Sequence, residues 1–275
     1  MIDTSALARD LAAAYANRQA IAPPSSRDPQ FDLAAAYAVE GELVRLRRAS
    51  GRTPVGRKVG YANKAMWRVL KLDTLVWAHI YDDTIHDAPG GAATLSVARM
   101  YSPKIEPEIV VKLRSDVEHP FDGRDGVDAS SALAACEWIA LGFEVIDCVY
   151  PDWKFQPADF VASFGLHAAL VVGARRRVEA DSIPQLADQL ARVTVKLMKN
   201  GELVEEGSGR NVLRSPALCL AELASAATRR GGEPLAAAEI ITTGTMTESK
   251  PIAPGETWTA TVDGIDLPPL AVRVT

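Results

Sequence analysis

From about residue 75 onward the chain offers one β-forming run after another, and this succession limits its fold more than any other feature. The runs are "TLVWAHIYDD", "KIEPEIVVKL", "LGFEVIDCVY", "HAALVVG", "VTVKLMKNGELVEEG", "EIITTGT", "ETWTATVDG" and "PLAVRVT". They are rich in β-branched and aromatic residues and are bounded by Gly, Pro, Asn and Asp, which favour strands and turns respectively. Asn200-Gly201, set between two alternating runs, predicts a two-residue type I′ hairpin. Two helices interrupt the series. One follows Asp128 through "SSALAACEWIA"; the other has Ser215 as N-cap, Pro216 at its first position and Gly231-Gly232 as its stop.

The chain before that point reads as helical. A helix covers about residues 4 to 17, a Pro-rich link "IAPPSSRDP" follows, and Asp32 caps "LAAAYAVEGELVRLRRAS", which stops at Gly51. Asn63 can cap a shorter third helix, "KAMWRVLKL". The expectation is an α+β chain with a small helical N-terminal region, residues 1–75, and a β-rich, mainly antiparallel domain, residues 76–275. The sequence has no Walker loop, GxGxxG motif or internal repeat.

Composition narrows the class of function. A chain of 275 residues can bury a full core. Hydrophobic content of 48%, charged content of 24% and a mean hydropathy of +0.00 describe an ordinary globular protein with no apolar run long enough to span a bilayer. The start, "MIDTSALARDLAAAYANRQ", has acids in place of a basic segment and an amphipathic pattern in place of an apolar block, so it does not read as a signal peptide. The protein therefore reads as cytoplasmic, with no membrane partner. Net charge is −5, and the dense basic run "RLRRAS" ends a helix where cations suit the dipole, which argues against nucleic acid. Cys136, Cys148 and Cys219 are far apart in apolar contexts; they read as core residues in a reducing compartment and not as a thiolate zinc site.

The chemistry begins in "YSPKIEPEIVVKL". Period two puts Glu106 and Glu108 on one face, with Ile105, Pro107 and Ile109 on the other. Two like charges side by side raise each other's pKa unless water screens them or a cation lies between them. Alone, the pair reads as part of a solvated edge strand, and Pro107, which cannot donate to a ladder, fits an edge or a bulge equally well. In "LGFEVIDCVYPDWKF" either Glu144 or Asp147 must face an apolar strand surface. A buried carboxylate needs a cation, a hydrogen-bond cluster or an open cavity. Three carboxylates on strands make an all-oxygen set suited to Mg²⁺ or Mn²⁺. Lys58, between Val55 and Val59, reads on its own as a surface lysine.

The blocks "GRKVGYANKAM", "KIEPEIVVKL", "FEVIDCVYPDWKF", "GSGRNVLRSPALCLAELA" and "EIITTGT" resemble, in order, those of the 2-keto-4-pentenoate hydratase / 4-oxalocrotonate decarboxylase group of the fumarylacetoacetate hydrolase superfamily. The resemblance runs from about residue 40 to the C-terminus. It implies a β-rich roll behind a small helical region, a homo-oligomer, and Mg²⁺ (or Mn²⁺) held by Glu106, Glu108 and Glu144. It implies an active-site role for Lys58 and a place near the pocket for Asp82 and Asp83, with Asp83 the catalytic one of the two. Lys154 becomes a pocket cation, and Thr243, Gly244 and Thr245 a loop lining the site.

The substrate implied is a small 2-oxo acid or its dienol, handled by a lyase through a metal-stabilised enolate. Hydration comes first, decarboxylation second, acylpyruvate-type C–C hydrolysis as the alternative, and a non-catalytic small-ligand-binding relative after that. One segment departs from the group. Where an Ala-Asp-Asn-Xaa-Ser-Ser run is usual, "QPADFVASFGLH" keeps Asp159 in register, puts Ser163 and Phe164 where Asp and Asn are usual, and brings Leu166 and His167 to the serines. The expectation is that Ser163 binds substrate and that His167 acts in the pocket as a base.

Overall fold

The computed structural model describes residues 2–117 and 128–275. Its helices are α1 (Thr4–Asn17), α2 (Pro24–Arg27), α3 (Leu33–Ala49), α4 (Lys64–Leu70), α5 (Ala129–Ala134), α6 (Pro157–Ala162), α7 (Ile183–Arg192) and α8 (Pro216–Arg229). The expected caps are in place: Asp32 accepts from Ala35 N, Asn63 from Ala65 N and Ser215 from Ala217 N, each satisfying a first-turn amide. α2 is a single turn inside the Pro-rich link, started by Pro24. The helix expected through "SSALAACEWIA" stops at Ala134, because the chain from Cys136 pairs as a strand. Two helices appear that the β-dominated reading passed over. α6 is opened by Pro157 and a capping box between Gln156 and Asp159. α7 buries Leu186 and Leu190 one turn apart.

The strands are β1 (Pro54–Gly60), β2 (Val76–Tyr81), β3 (Ile85–Asp87), β4 (Ala92–Leu95), β5 (Pro103–Leu113), β6 (Cys136–Asp147), β7 (His167–Arg177), β8 (Thr194–Lys199), β9 (Glu202–Ser208), β10 (Ile240–Thr245), β11 (Lys250–Pro251), β12 (Thr257–Asp263) and β13 (Leu270–Val274). They form two sheets, one in the order β2-β1-β10-β5-β6-β7-β3 with β11 added to β5, the other in the order β4-β13-β12-β8-β9. Pairing is mainly antiparallel; β1–β10, β3–β7 and β13–β4 are parallel. Asn200 and Gly201 both have positive φ, 52° and 86°, as a type I′ hairpin requires.

β1 lies within residues 1–75 and yet sits inside the first sheet, between β2 and β10. β5 is likewise interior, between β10 and β6, so its two glutamates are not on an edge strand. One apolar cluster joins residues of both sheets with α8, through Val111, Ile139, Leu197, Leu223 and Trp258. A second joins α1 and α3 to α6 and the end of β6, through Leu11, Leu43, Ile146 and Phe160. Cys136, Cys148 and Cys219 are buried free thiols. No helix among the described residues is long and apolar enough to cross a membrane.

Candidate active site

The site is built on the pairing of β5 with β6. Their register sets Glu106 directly opposite Glu144, with Glu108 two residues along the same face of β5. One oxygen from each of Glu106, Glu108 and Glu144 lies within 4.8 Å of the others. Glu108 and Glu144 are buried, and Glu106 is half-buried. Beside them β10 carries one extra residue between Thr242 and Thr245 relative to β5. Gly244, at φ 100°, takes up the irregularity and turns its amide to Glu108 Oε2, at 2.7 Å. Glu108 Oε1 is buried and has no hydrogen-bond partner among the described residues. An orphaned carboxylate oxygen among three converging carboxylates fits a hard divalent cation, which takes oxygen ligands and keeps open positions for water or substrate.

Without a cation the cluster is electrostatically unfavourable. Burial, with Glu144 adding to it against the pull of Lys58, pushes Glu106 up to about 7. Burial and the charges of Glu144 and Glu106 hold Glu108 well above the ordinary carboxylate range. Glu144 goes the other way: burial would raise it, but Lys58 and His167 outweigh that and hold it below its usual value. Its oxygens are divided between the two, Oε2 lying 2.9 Å from Lys58 Nζ and Oε1 2.8 Å from His167 Nδ1.

Lys58 reaches the cluster from β1, where it pairs with Thr242 of β10. It is only 2% exposed, so it is no surface lysine. Burial opposes its charge, yet Glu144, Glu106 and Glu108 together keep its pKa above normal. The aliphatic stem lies against Gly165, where a Cβ would come within 2.6 Å of Lys58 Cδ. His167 begins β7 and is also buried, with its pKa lowered chiefly by burial. Both its ring nitrogens are engaged, Nδ1 with Glu144 and Nε2 with Thr84 Oγ1 at 2.9 Å. Thr84 is outside the set of residues that the sequence points to.

Gly244 and Thr245 line a cavity of about 620 Å³ together with Lys58 and Glu106. The other expected site residues lie elsewhere. Thr243 is buried behind the wall, its hydroxyl donating to Ile109 O. Ser163 donates back to Asp159 O at 2.8 Å, closing on its own helix. Asp159 is buried and accepts from Ser25 N, Ser25 Oγ and Gln156 N, so it ties α6 to the α2 link. Asp82 accepts from Thr53 N, and Asp83 is ion-paired with Arg47 and Arg52. Lys154 is 82% exposed, pairs with Asp152, and borders a larger cleft of about 1030 Å³ whose walls do not include the triad. The sequence reading passed over Tyr61, Phe160, Glu205, Asn211 and Glu248, all of which line the cavity. Trp153 and Phe155 line it too, and the "DWKF" block that drew attention to Lys154 already contained them.

A two-sheet body with a carboxylate triad at one strand pair, a buried lysine beside it and a cavity opening from both defines an enzyme-type pocket for an oxygen-liganded cation. Residues 82–275 match the profile of the fumarylacetoacetate (FAA) hydrolase C-terminal family, and the chain belongs to that family. It is 29% identical to the 2-hydroxyhexa-2,4-dienoate hydratase of Comamonas testosteroni, across 92% of this chain and 90% of that one. It is 30% identical to the 4-oxalocrotonate decarboxylase of Pseudomonas sp. (strain CF600), across 86% of this chain and 84% of that one. The structure of 4-oxalocrotonate decarboxylase from Pseudomonas putida G7, complexed with magnesium and adipate, superposes with a TM-score of 0.87 at 29% identity, covering 99% of this chain and 97% of that one.

Proposed function

We propose that this chain is a Mg²⁺- or Mn²⁺-dependent lyase acting on a small 2-oxo acid or its dienol, a hydratase first and a decarboxylase second. The observation that carries the reading is the convergence of Glu106, Glu108 and Glu144 with Glu108 Oε1 left without a partner. Those three residues would hold the cation. When bound, it would supply Lewis-acid polarisation of the substrate's keto oxygen.

The chain's own groups do the rest. Lys58, charged at neutral pH because three carboxylates raise its pKa, presents a fixed ammonium and a transferable proton at Nζ on the cavity wall. His167, with both nitrogens committed, orients Glu144 in place of acting as a free base, and Thr84 fixes the ring in turn. The Gly244 amide fixes Glu108. Phe160, its ring 5.2 Å from Lys58 Nζ, keeps bulk water off that side. The same reading makes the protein a cytoplasmic homo-oligomer that uses neither nucleic acid nor membrane. Its net charge of −5 supports the last point, and the exposed Leu203 and Val204 on the edge strand β9 support contact with a second copy.

The test is Mg²⁺ titration calorimetry on purified protein, followed by product analysis with 2-hydroxypenta-2,4-dienoate, 4-oxalocrotonate and an acylpyruvate. Saturable Mg²⁺ binding, lost in Glu108→Gln, with hydration of the dienoate is the expected result. Absence of Mg²⁺ binding would refute the reading, and cleavage of the acylpyruvate alone would replace lyase with C–C hydrolase.

A further inference from the structure

Beyond the triad the cavity has two unlike walls. One is aromatic: Tyr61, Trp153, Phe155 and Phe160 line it, with ring centroids 5.4 Å apart for Tyr61 and Phe160 and 6.5 Å for the stacked Phe155 and Phe160. The other carries Glu205 and Glu248. Among the described residues, Lys58 is the one cation that lines the cavity, and it is already bonded to Glu144 at the head of the site. Lys250 lies 2.5 Å from Glu205 and 3.2 Å from Glu248, so two carboxylates share one ammonium and the rim keeps a net negative charge. Lys104 has its ammonium 3.8 Å from the Trp153 ring centroid and is not among the lining residues.

We propose, building on the 2-oxo-acid reading, that this cavity selects substrates with a single carboxylate at the head and an uncharged, apolar tail, and turns dicarboxylates away. The head carboxylate and keto oxygen belong at the triad and Lys58. A tail packed on the aromatic wall buries apolar surface against rings that are already ordered. A second carboxylate at the end of that tail would lose water without gaining a cation, and would face Glu205 and Glu248. Discrimination by a like charge is a repulsive device, so it acts on dicarboxylates and leaves the neutral tail untouched. The volume of about 620 Å³ is within the range of about 300–1,000 Å³ usual for small-molecule pockets, with room for a tail longer than a vinyl group.

Binding to the Mg²⁺-loaded protein, measured by calorimetry, tests this with saturated 2-oxo acids, which have no double bond to hydrate: pyruvate, which is head group alone, and 2-oxohexanoate and 2-oxoadipate, which have equal chain length and differ in the terminal carboxylate. 2-Oxohexanoate should bind about tenfold tighter than 2-oxoadipate or better, and Glu248→Lys, at a position 82% exposed, should narrow that gap by about tenfold. If pyruvate binds only with Mg²⁺ while 2-oxoadipate binds as tightly as 2-oxohexanoate, the tail assignment falls and the head-group reading stands. If none of the three binds the Mg²⁺-loaded protein, both fall.

Discussion

Replacing Glu106 with Gln should make the metal-free protein more stable while removing its response to Mg²⁺. Glu106 faces Glu144 across the sheet, with Lys58 and Lys104 as the nearby cations, and its pKa rises from an ordinary 4.5 to about 7, burial being the largest cause. Below about pH 4.5 both folded and unfolded chains hold the proton and the residue costs nothing. As pH rises from there to about 7, the unfolded chain gives up its proton first and the folded state loses ground; above about 7 the full penalty is present. A shift of that size, at about 1.4 kcal/mol per unit, corresponds to about 3 kcal/mol. For a chain of this size that is roughly 6 to 12 °C in melting temperature. Thermal melts of both proteins with a chelator, at about pH 5 and about pH 8, should therefore show a small gain for the variant at the lower pH and the full gain at the higher. Saturating Mg²⁺ should then raise the wild type by mass action and leave Glu106→Gln nearly unmoved. A variant that melts at or below the wild type at about pH 8 without metal would refute the idea that the triad is frustrated when empty.

Lys58→Met leaves the fully buried Glu144 without its cation, so the metal-free protein should lose about 3–5 kcal/mol in denaturant titrations. Turnover should fall while Mg²⁺ affinity, read by calorimetry, does not weaken. His167→Asn should weaken Mg²⁺ about 10–100-fold and leave the shape of the pH–rate profile intact, as expected when an outer partner of a ligand is lost; loss of one limb of that profile would return His167 to the role of base. Gly165→Ala places a methyl 2.6 Å from Lys58 Cδ and 2.9 Å from Ala78 Cβ, at φ 57°. It should cost about 1–3 kcal/mol of stability and reduce turnover, with Mg²⁺ binding retained.

The carboxylates were legible because strand alternation is local: Glu106 and Glu108 had to share a face wherever the strand lay. That Glu144 sits opposite Glu106 was not legible, since cross-strand register depends on how bulges and turns elsewhere are spent. The same limit explains Thr84, which meets His167 only because β3 pairs in parallel with β7. Lys154 and Ser163 lay in the right blocks, but a block does not say which way a side chain turns. Lys154 follows Asp152 and Trp153, both at positive φ, and ends in solvent; Ser163 bonds to its own helix. Secondary structure failed where tertiary pairing overrode local preference, as in "CEWIA", whose helical pattern yields to the ladders with β5 and β7.

The position of β1 bears on what counts as a separable unit in this protein. The family match begins at residue 82, and the three glutamates all lie within it. Lys58 does not, and the strand that carries it is the parallel neighbour of β10, whose bulge aims Gly244 at Glu108. A piece trimmed to the matched segment would keep every ligand of the proposed cation, lose the lysine, and expose one side of β10. Exchange of N-terminal regions between relatives would in the same way exchange the buried lysine and an interior strand together. The strand that carries Lys58 thus belongs to the same sheet as the strands that carry the glutamates, whatever boundary a comparison of sequences draws between them.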